Sequence, residues 1–89
     1  MGNIQHLPRE YRFVSDCGGS QALLEYSLIN AHGEGKPAAI DFTHTFVPPE
    51  CRGKGIAEQL VRAGIKWAKE QGYELRASCW YAAKFIRKE

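Results

Sequence analysis

The hydrophobic pattern of this 89-residue chain changes its period near residue 56, and that change limits the folds open to it. Before this point, three segments have the β-favouring, partly alternating composition of strands: residues 10–15, 22–30 and 38–47. After it, apolar residues recur at helical spacing from Ile56 to about Gln71, and Gly72 is a natural stop. Residues 73–79 return to strand character, and residues 80–89 predict a short closing helix.

The predicted order is three strands, a helix, a strand and a helix, which is an α+β fold with a mixed sheet. A turn at residues 16–19 and a glycine-rich loop at residues 31–37 make the first three strands an antiparallel meander. The following β-α-β crossover makes the third and fourth strands parallel neighbours. We expect one domain over residues 1–89, with residues 1–9 a flexible N-terminal segment.

The composition of the chain argues against several functional classes. A net charge of +2 is too small to predict nucleic-acid binding, and the basic residues near the end are typical of a solvated helix face: Lys84, Arg87 and Lys88. No apolar run approaches the length of a membrane span, and the N-terminus does not have the pattern of a signal peptide. The three cysteines are odd in number and widely spaced, which argues against a disulfide framework and for a reducing, cytoplasmic location. The scattered histidines predict no metal site.

The start of the predicted helix has an unusual composition, "CRGKGIA" at residues 51–57, with two glycines and two cations. One interpretation is a loop with a glycine-rich end. The other is an anion site, because the first N–H groups of a helix have no intrahelical acceptors and attract negative charge. Gly53 and Gly55 would leave the approach to these N–H groups open, Ala57 would keep the first turn slim, and Arg52 and Lys54 would add charge.

Read from Arg52, this segment is Arg-x-x-Gly-x-Ala, and it resembles the (Gln/Arg)-x-x-Gly-x-(Gly/Ala) signature of the GNAT superfamily of N-acetyltransferases. The resemblance implies that acetyl-CoA is the co-substrate and that the loop and helix start hold its pyrophosphate. The implied coenzyme-binding residues are Arg52, Gly53, Lys54, Gly55, Ile56 and Ala57. It also implies that the backbone of Phe46 and Val47 pairs with the pantetheine arm.

Two further segments, "IDFTHTFVPPECRGKGIAEQLV" and "ASCWYAAKF", resemble a small stand-alone YjdJ-like subfamily, as does the length of about ninety residues. The resemblance carries over His44 and Thr45 but not Asp41, which lies two residues before the family's acidic position. It implies a minimal GNAT-like fold. Ordinary members insert two helices between the first two strands, and residues 15–22 leave no room for them, so the acceptor site should be shallow and open.

The candidate catalytic residues are Cys79 and His44. Cys79 could take the acetyl group by thioester exchange, or it could be a buried cysteine at a strand end. His44 could accept the amine's proton, although its strand position favours a core histidine held by a hydrogen bond. Tyr81 could protonate the departing thiolate or pack in the core. Cys17 and Cys51 look incidental.

The predicted function is acetyl-CoA-dependent transfer of an acetyl group to an amine, small or protein-borne. The alternative is a non-catalytic coenzyme A-binding module, a sensor or partner protein, which would bind the coenzyme without turnover. The sequence leaves the acceptor and the oligomeric state open.

Overall fold

The computed structural model describes residues 4–30 and 37–87. The strands are β1 (Ile4–Leu7), β2 (Arg12–Cys17), β3 (Ser20–Ile29), β4 (Ala39–Phe46) and β5 (Glu74–Ala77). The helices are α1 (Ile56–Gln71) and α2 (Trp80–Ile86), and short 3-10 turns cover Pro8–Glu10 and Pro49–Cys51. Most of the predicted loop at residues 31–37 and the end of the predicted last helix, residues 88–89, lie outside the described residues.

The strands form one five-stranded sheet in the order of the chain. β1 to β4 run antiparallel, and β5 lies parallel to β4, from Ala39 beside Glu74 to Phe42 beside Ala77. Parallel neighbours need a crossover, and α1 supplies it. The predicted α+β fold, with its meander, its β-α-β unit and its short last helix, is therefore confirmed.

The N-terminal segment differs from our expectation. Residues 1–9 were predicted to be flexible, but Ile4–Leu7 form an edge strand paired with β2. The His6 ring stacks on Phe13, with ring centres 4.1 Å apart, and meets the Trp67 ring edge-on at 4.5 Å. The prediction was wrong because this four-residue strand is stabilised by pairing with β2 and by packing on the distant Trp67, so its own propensity carries little of the signal.

The core lies between the sheet and α1. Its largest fully buried apolar side chains include Phe42, Leu24 and Leu60. Gly64 of α1 faces this layer, and a Cβ atom there would lie 2.8 Å from the Phe42 ring and 2.9 Å from a Leu24 methyl group. The absent side chain lets the helix pack closely on the sheet.

The bounds of α1 are those that the sequence predicted. Gly55 precedes its first residue with a φ of +75°, and Gly72 follows its last residue with a φ of +80°. The Gly72 N–H group bonds to the carbonyl oxygens of Ala68 and Lys69. Glycine adopts this left-handed conformation without steric cost, which makes it a common residue at helix C-termini.

The cysteine prediction needs correction. Cys17, at the end of β2, and Cys51, at the end of the second 3-10 turn, form a disulfide with Cα atoms 6.0 Å apart. The odd number and wide spacing of the cysteines predict no disulfide framework and an incidental role for both residues, and this prediction is wrong. The two cysteines are 34 residues apart in the chain, and only the return of the chain beside the β2–β3 turn brings them together.

Candidate active site

A gap opens where β4 and β5 separate. Their pairing ends at Phe42 and Ala77. The Phe42 carbonyl oxygen then accepts hydrogen bonds from the N–H groups of both Ser78 (3.1 Å) and Cys79 (3.0 Å), and the chain turns into α2. β4 continues to Phe46 beside β3. The residues of β4 beyond Phe42 therefore border an opening on the side where β5 paired with the earlier residues.

This opening is a groove of about 470 Å³. An adjoining hollow of about 210 Å³ reaches the start of α1 and shares Val47, Arg52, Ala57 and Tyr81 with the groove. Of the residues predicted for the site, the groove brings together His44, Phe46, Val47, Arg52, Ala57 and Cys79. The hollow adds Gly53, Gly55 and Ile56. Lys54 is exposed in the same loop and is not among the residues lining these two cavities.

The two loop glycines are required by backbone conformation. Gly53 has a φ of +83° and Gly55 a φ of +75°, a region in which other residues are strained. A Cβ atom at either position would meet no atom within 4 Å, so crowding inside the protein is not the reason for glycine. The open space on the outer side of the loop agrees with the predicted clear approach.

The start of α1 has the donors that an anion needs. The first bond of the helical pattern runs from the Gln59 N–H group to the Gly55 carbonyl oxygen (3.1 Å), so the N–H groups of Ile56, Ala57 and Glu58 precede the first helical donor and have no acceptor within the helix. Arg52 is exposed, and its Nε–H group donates to the Val47 carbonyl oxygen at 3.1 Å. That bond uses one of the five donors of the guanidinium group. The loop thus presents cationic and N–H groups at one end of the groove.

The Cys79 thiol lies at the other end of the groove, where Cys79 is the residue before the first turn of α2. It is half-buried, and its Sγ atom lies 3.5 Å from the Thr45 Oγ1 atom. Burial raises the pKa of the thiol. Hydrogen bonds from the Ala82 backbone, the Thr45 hydroxyl group and the backbones of Tyr81 and Thr45 outweigh burial, so the pKa lies below its usual value. Cys79 is therefore a partly accessible thiol that ionises more readily than an ordinary cysteine.

Asp41 holds the turn that presents Cys79. Its two carboxylate oxygens accept hydrogen bonds from the Ser78 N–H group and the Ser78 hydroxyl group, both at 2.7 Å. Sequence reasoning set Asp41 aside because it does not align with the family's acidic position. The two residues are 37 positions apart, so no local spacing indicates the pair.

His44 lines the groove and is exposed, so the favoured interpretation of it as a core histidine was wrong. The histidine held inside the structure is His6, whose Nε2 atom lies 2.6 Å from the Tyr26 hydroxyl oxygen. Burial lowers the pKa of His6. A bulge breaks the alternation of β4, since Tyr26 pairs with Phe42 and Glu25 with His44, so His44 lies on the opposite face of the sheet from Phe42.

Three aromatic side chains surround the groove. Trp80 is 73% exposed and Phe46 is 42% exposed, high values for large apolar side chains. Burial, together with the nearby Glu58 carboxylate, raises the pKa of Tyr81, so its hydroxyl group holds its proton more firmly than usual. The open groove therefore combines apolar surface with a protonated phenol and a thiol whose pKa is lowered.

The described residues hold no group of three or more His, Cys, Asp or Glu side chains that could bind a metal ion. Within the same part of the chain, no helix is long and apolar enough to cross a membrane.

The chain is similar to known proteins over nearly its whole length. The sequence family described as GCN5-related N-acetyl-transferase matches residues 10–89. Protein NATD1 of Gallus gallus is 35% identical over 86 residues, covering 94% of this chain and 73% of the relative. Protein NATD1 of Bos taurus is 29% identical over 86 residues, covering 94% and 71%. A GCN5-like protein of Staphylococcus aureus, solved by NMR in solution, has a TM-score of 0.68 at 25% identity, covering 97% of this chain and 78% of that chain.

Proposed function

We infer the function from the family: the chain belongs to the GCN5-related N-acetyltransferases and is thus an acyltransferase. We propose that it transfers the acetyl group of acetyl-CoA to an amine. The observation that carries the proposal is the continuous groove from the loop at the start of α1 to the Cys79 thiol. An elongated, phosphorylated thioester suits such a groove. We also place the protein in the YjdJ-like subfamily, on its segments "IDFTHTFVPPECRGKGIAEQLV" and "ASCWYAAKF".

In this proposal the pyrophosphate of acetyl-CoA is held by the loop and the first turn of α1. The N–H groups of Gly53, Gly55, Ile56 and Ala57 donate to its oxygens, and Arg52 and Lys54 balance its charge. The left-handed glycines and the exposed loop support this assignment, because they leave the donors open to an anion.

The pantetheine arm follows β4 toward the thiol. Residues beyond Phe42 have β3 on one side and the groove on the other, which leaves the backbone of Phe46 and Val47 beside the groove. Hydrogen bonds to these groups would extend the sheet pattern where β5 has turned away. This arrangement would bring the thioester near Cys79.

We propose that the acetyl group passes through Cys79. The Cys79 thiolate attacks the thioester carbonyl carbon, the bond to the coenzyme sulfur breaks, and Tyr81 protonates the departing thiolate. The acceptor amine then attacks the acetyl-cysteine, His44 accepts the amine's proton, and the Cys79 thiolate is released. The lowered pKa of Cys79 supports its role as nucleophile, and the exposed position of His44 in the groove supports its role as base.

The test combines binding with mass spectrometry. We expect calorimetry to detect binding of acetyl-CoA, and intact-mass measurement to show one acetyl group on wild-type protein that is missing in Cys79→Ser. The double variant Cys17→Ser/Cys51→Ser is the matched control, since it retains Cys79 and should still acquire the group. No binding at millimolar acetyl-CoA would overturn the function. Binding and amine turnover without an adduct, unchanged in Cys79→Ser, would mean direct transfer to the amine.

A further inference from the structure

The loop that precedes α1 is attached to the turn between β2 and β3. Cys51 comes directly before Arg52, and its disulfide partner Cys17 is the last residue of β2. Cys51 is fully buried and lines the hollow at the start of α1, whereas Cys17 is half-buried. The disulfide therefore links a residue that lines the hollow to the end of β2.

A second contact joins the same two segments. The Ser20 hydroxyl group, on the first residue of β3, donates a hydrogen bond to the Glu50 carboxylate. This bond is the main reason that the pKa of Glu50 is lowered. Two adjacent residues before the loop, Glu50 and Cys51, are thus held by the two ends of the β2–β3 turn.

The loop itself has little packing of its own. The four residues 52–55 are exposed, and both of its glycines occupy a conformation that an unrestrained chain visits among many others. Apart from the Arg52–Val47 hydrogen bond, its order therefore depends on its two ends, which are α1 on one side and the attached segment Pro49–Cys51 on the other.

We infer that the Cys17–Cys51 disulfide, supported by the Ser20–Glu50 hydrogen bond, is a redox-controlled positioning device that orders the loop at residues 52–55 for phosphate binding. The part of this inference that concerns coenzyme A rests on the proposed function. These residues act through the loop and are positioning residues, not catalytic ones. A binding site populated for only a fraction of the time has its apparent affinity reduced by that fraction.

The redox step uses a thiol reductant. A dithiol transfers two electrons and two protons to the disulfide, the Cys17–Cys51 bond breaks, and the products are two protein thiols and the oxidised, cyclic dithiol. Half-buried Cys17 gives the reductant a sulfur to attack. Cys79 is already a free thiol, so reduction leaves it unchanged.

The experiment compares the oxidised protein, the protein reduced with dithiothreitol, and the variant Cys17→Ser. Amide hydrogen exchange over residues 52–57 reports loop order without any ligand. Calorimetry with a coenzyme A analogue lacking the sulfur atom reports binding without thiol chemistry. On reduction or substitution, we expect faster exchange in the loop and a Kd weakened by roughly five- to tenfold.

Two control variants separate positioning from general stability. Ser20→Ala removes the second contact and retains the disulfide, so it should loosen the loop less than Cys17→Ser. Ile40→Val shortens a fully buried core side chain in β4. It should lower the thermal midpoint while leaving both the loop exchange and the Kd unchanged.

Each outcome decides a different point. Loop exchange that stays the same on reduction, or alkylation of all three cysteines in the unreduced protein, would overturn the inference. Faster exchange with an unchanged Kd would overturn its link to the coenzyme. If the oxidised protein binds no analogue, the proposed function is overturned, and so is the link between the disulfide and coenzyme A binding. Faster loop exchange on reduction in that protein would still support control of loop order by the disulfide.

Discussion

The Thr45 Oγ1 atom lies 3.5 Å from the Cys79 Sγ atom, across the gap between β4 and the start of α2. Thr45 belongs to the strand beside which we place the pantetheine arm, and Cys79 belongs to the turn that follows β5. The contact therefore links the two sides of the groove at the point where the thioester is expected.

The Thr45 hydroxyl group is one of the groups that lower the pKa of Cys79. In Thr45→Val this hydrogen bond is lost, so the pKa of Cys79 should rise and the thiolate fraction at neutral pH should fall. We expect alkylation by iodoacetamide at pH 7 to slow by roughly two- to fivefold, since the thiolate is the reacting form. Thr43→Val, an exposed change in the same strand, is the control. Equal rates in all three proteins would contradict the prediction.

The Asp41–Ser78 pair should stabilise the turn that presents Cys79. Asp41→Ala removes the acceptor of two hydrogen bonds, whereas Ser78→Ala removes only the hydroxyl donor and retains the backbone one. We expect Asp41→Ala to lower the free energy of unfolding by about 1–3 kcal/mol and Ser78→Ala by less. Urea denaturation measures both. Equal losses in the two variants would mean that the backbone bond contributes little, and a larger loss in Ser78→Ala would contradict the prediction.

Gly55 should be needed both for its conformation and for its place in the site. Gly55→Val forces a β-branched residue into a left-handed conformation, at a cost of about 1–3 kcal/mol. Gly72→Val imposes a similar strain at the other end of the same helix. Both should lower the thermal midpoint, but calorimetry should show weaker coenzyme A binding only in Gly55→Val. Equal coenzyme A affinity in the two variants would show that the loop is not part of the binding site.

Gly64 should tolerate no larger side chain without loss of stability. Gly64→Ala adds a Cβ atom 2.8 Å from the Phe42 ring, and overpacking of this kind costs about 1–3 kcal/mol. The higher helix propensity of alanine offsets up to about 1 kcal/mol of this loss of stability. We therefore expect a net loss in urea denaturation, whereas exposed Lys66→Ala in the same helix should change stability little. A more stable Gly64→Ala would show that the core relaxes around the added methyl group.

His6 should make stability depend on pH. Burial lowers its pKa in the folded protein below the ordinary value of 6.5, so the unfolded chain binds the proton more readily. The contribution of His6 is therefore fully present above pH 6.5 and is lost as the pH falls below it toward the folded pKa. The free energy of unfolding, compared at pH 7.5 and 5.5, should fall more in wild type than in His6→Gln. Parallel pH profiles for the two proteins would refute this.

Much of the fold was predictable because its signals are local. Helix α1 has a regular apolar face and a glycine at each end, and its bounds came out as predicted. Strand β1 was missed, because its short sequence is stabilised by pairing with β2 and by the packing of His6 on Phe13 and Trp67.

The groove was predictable only in part. The motif from Arg52 to Ala57 is continuous in sequence, so its place at the start of a helix followed directly. Strand alternation predicted a core position for His44, but a bulge in β4 shifts the register against β3 and puts His44 on the face opposite Phe42.

The sequence by itself determined the order of the elements, the bounds of the central helix and the glycine-rich loop before it, because periodicity and left-handed glycines act over a few residues. Only the tertiary structure decided which distant groups meet: Cys17 with Cys51, Asp41 with Ser78, and Thr45 with Cys79. Each pair is separated by more than thirty residues. Contacts of that kind depend on how β4 and β5 separate and how the chain returns to the β2–β3 turn, which no local pattern encodes.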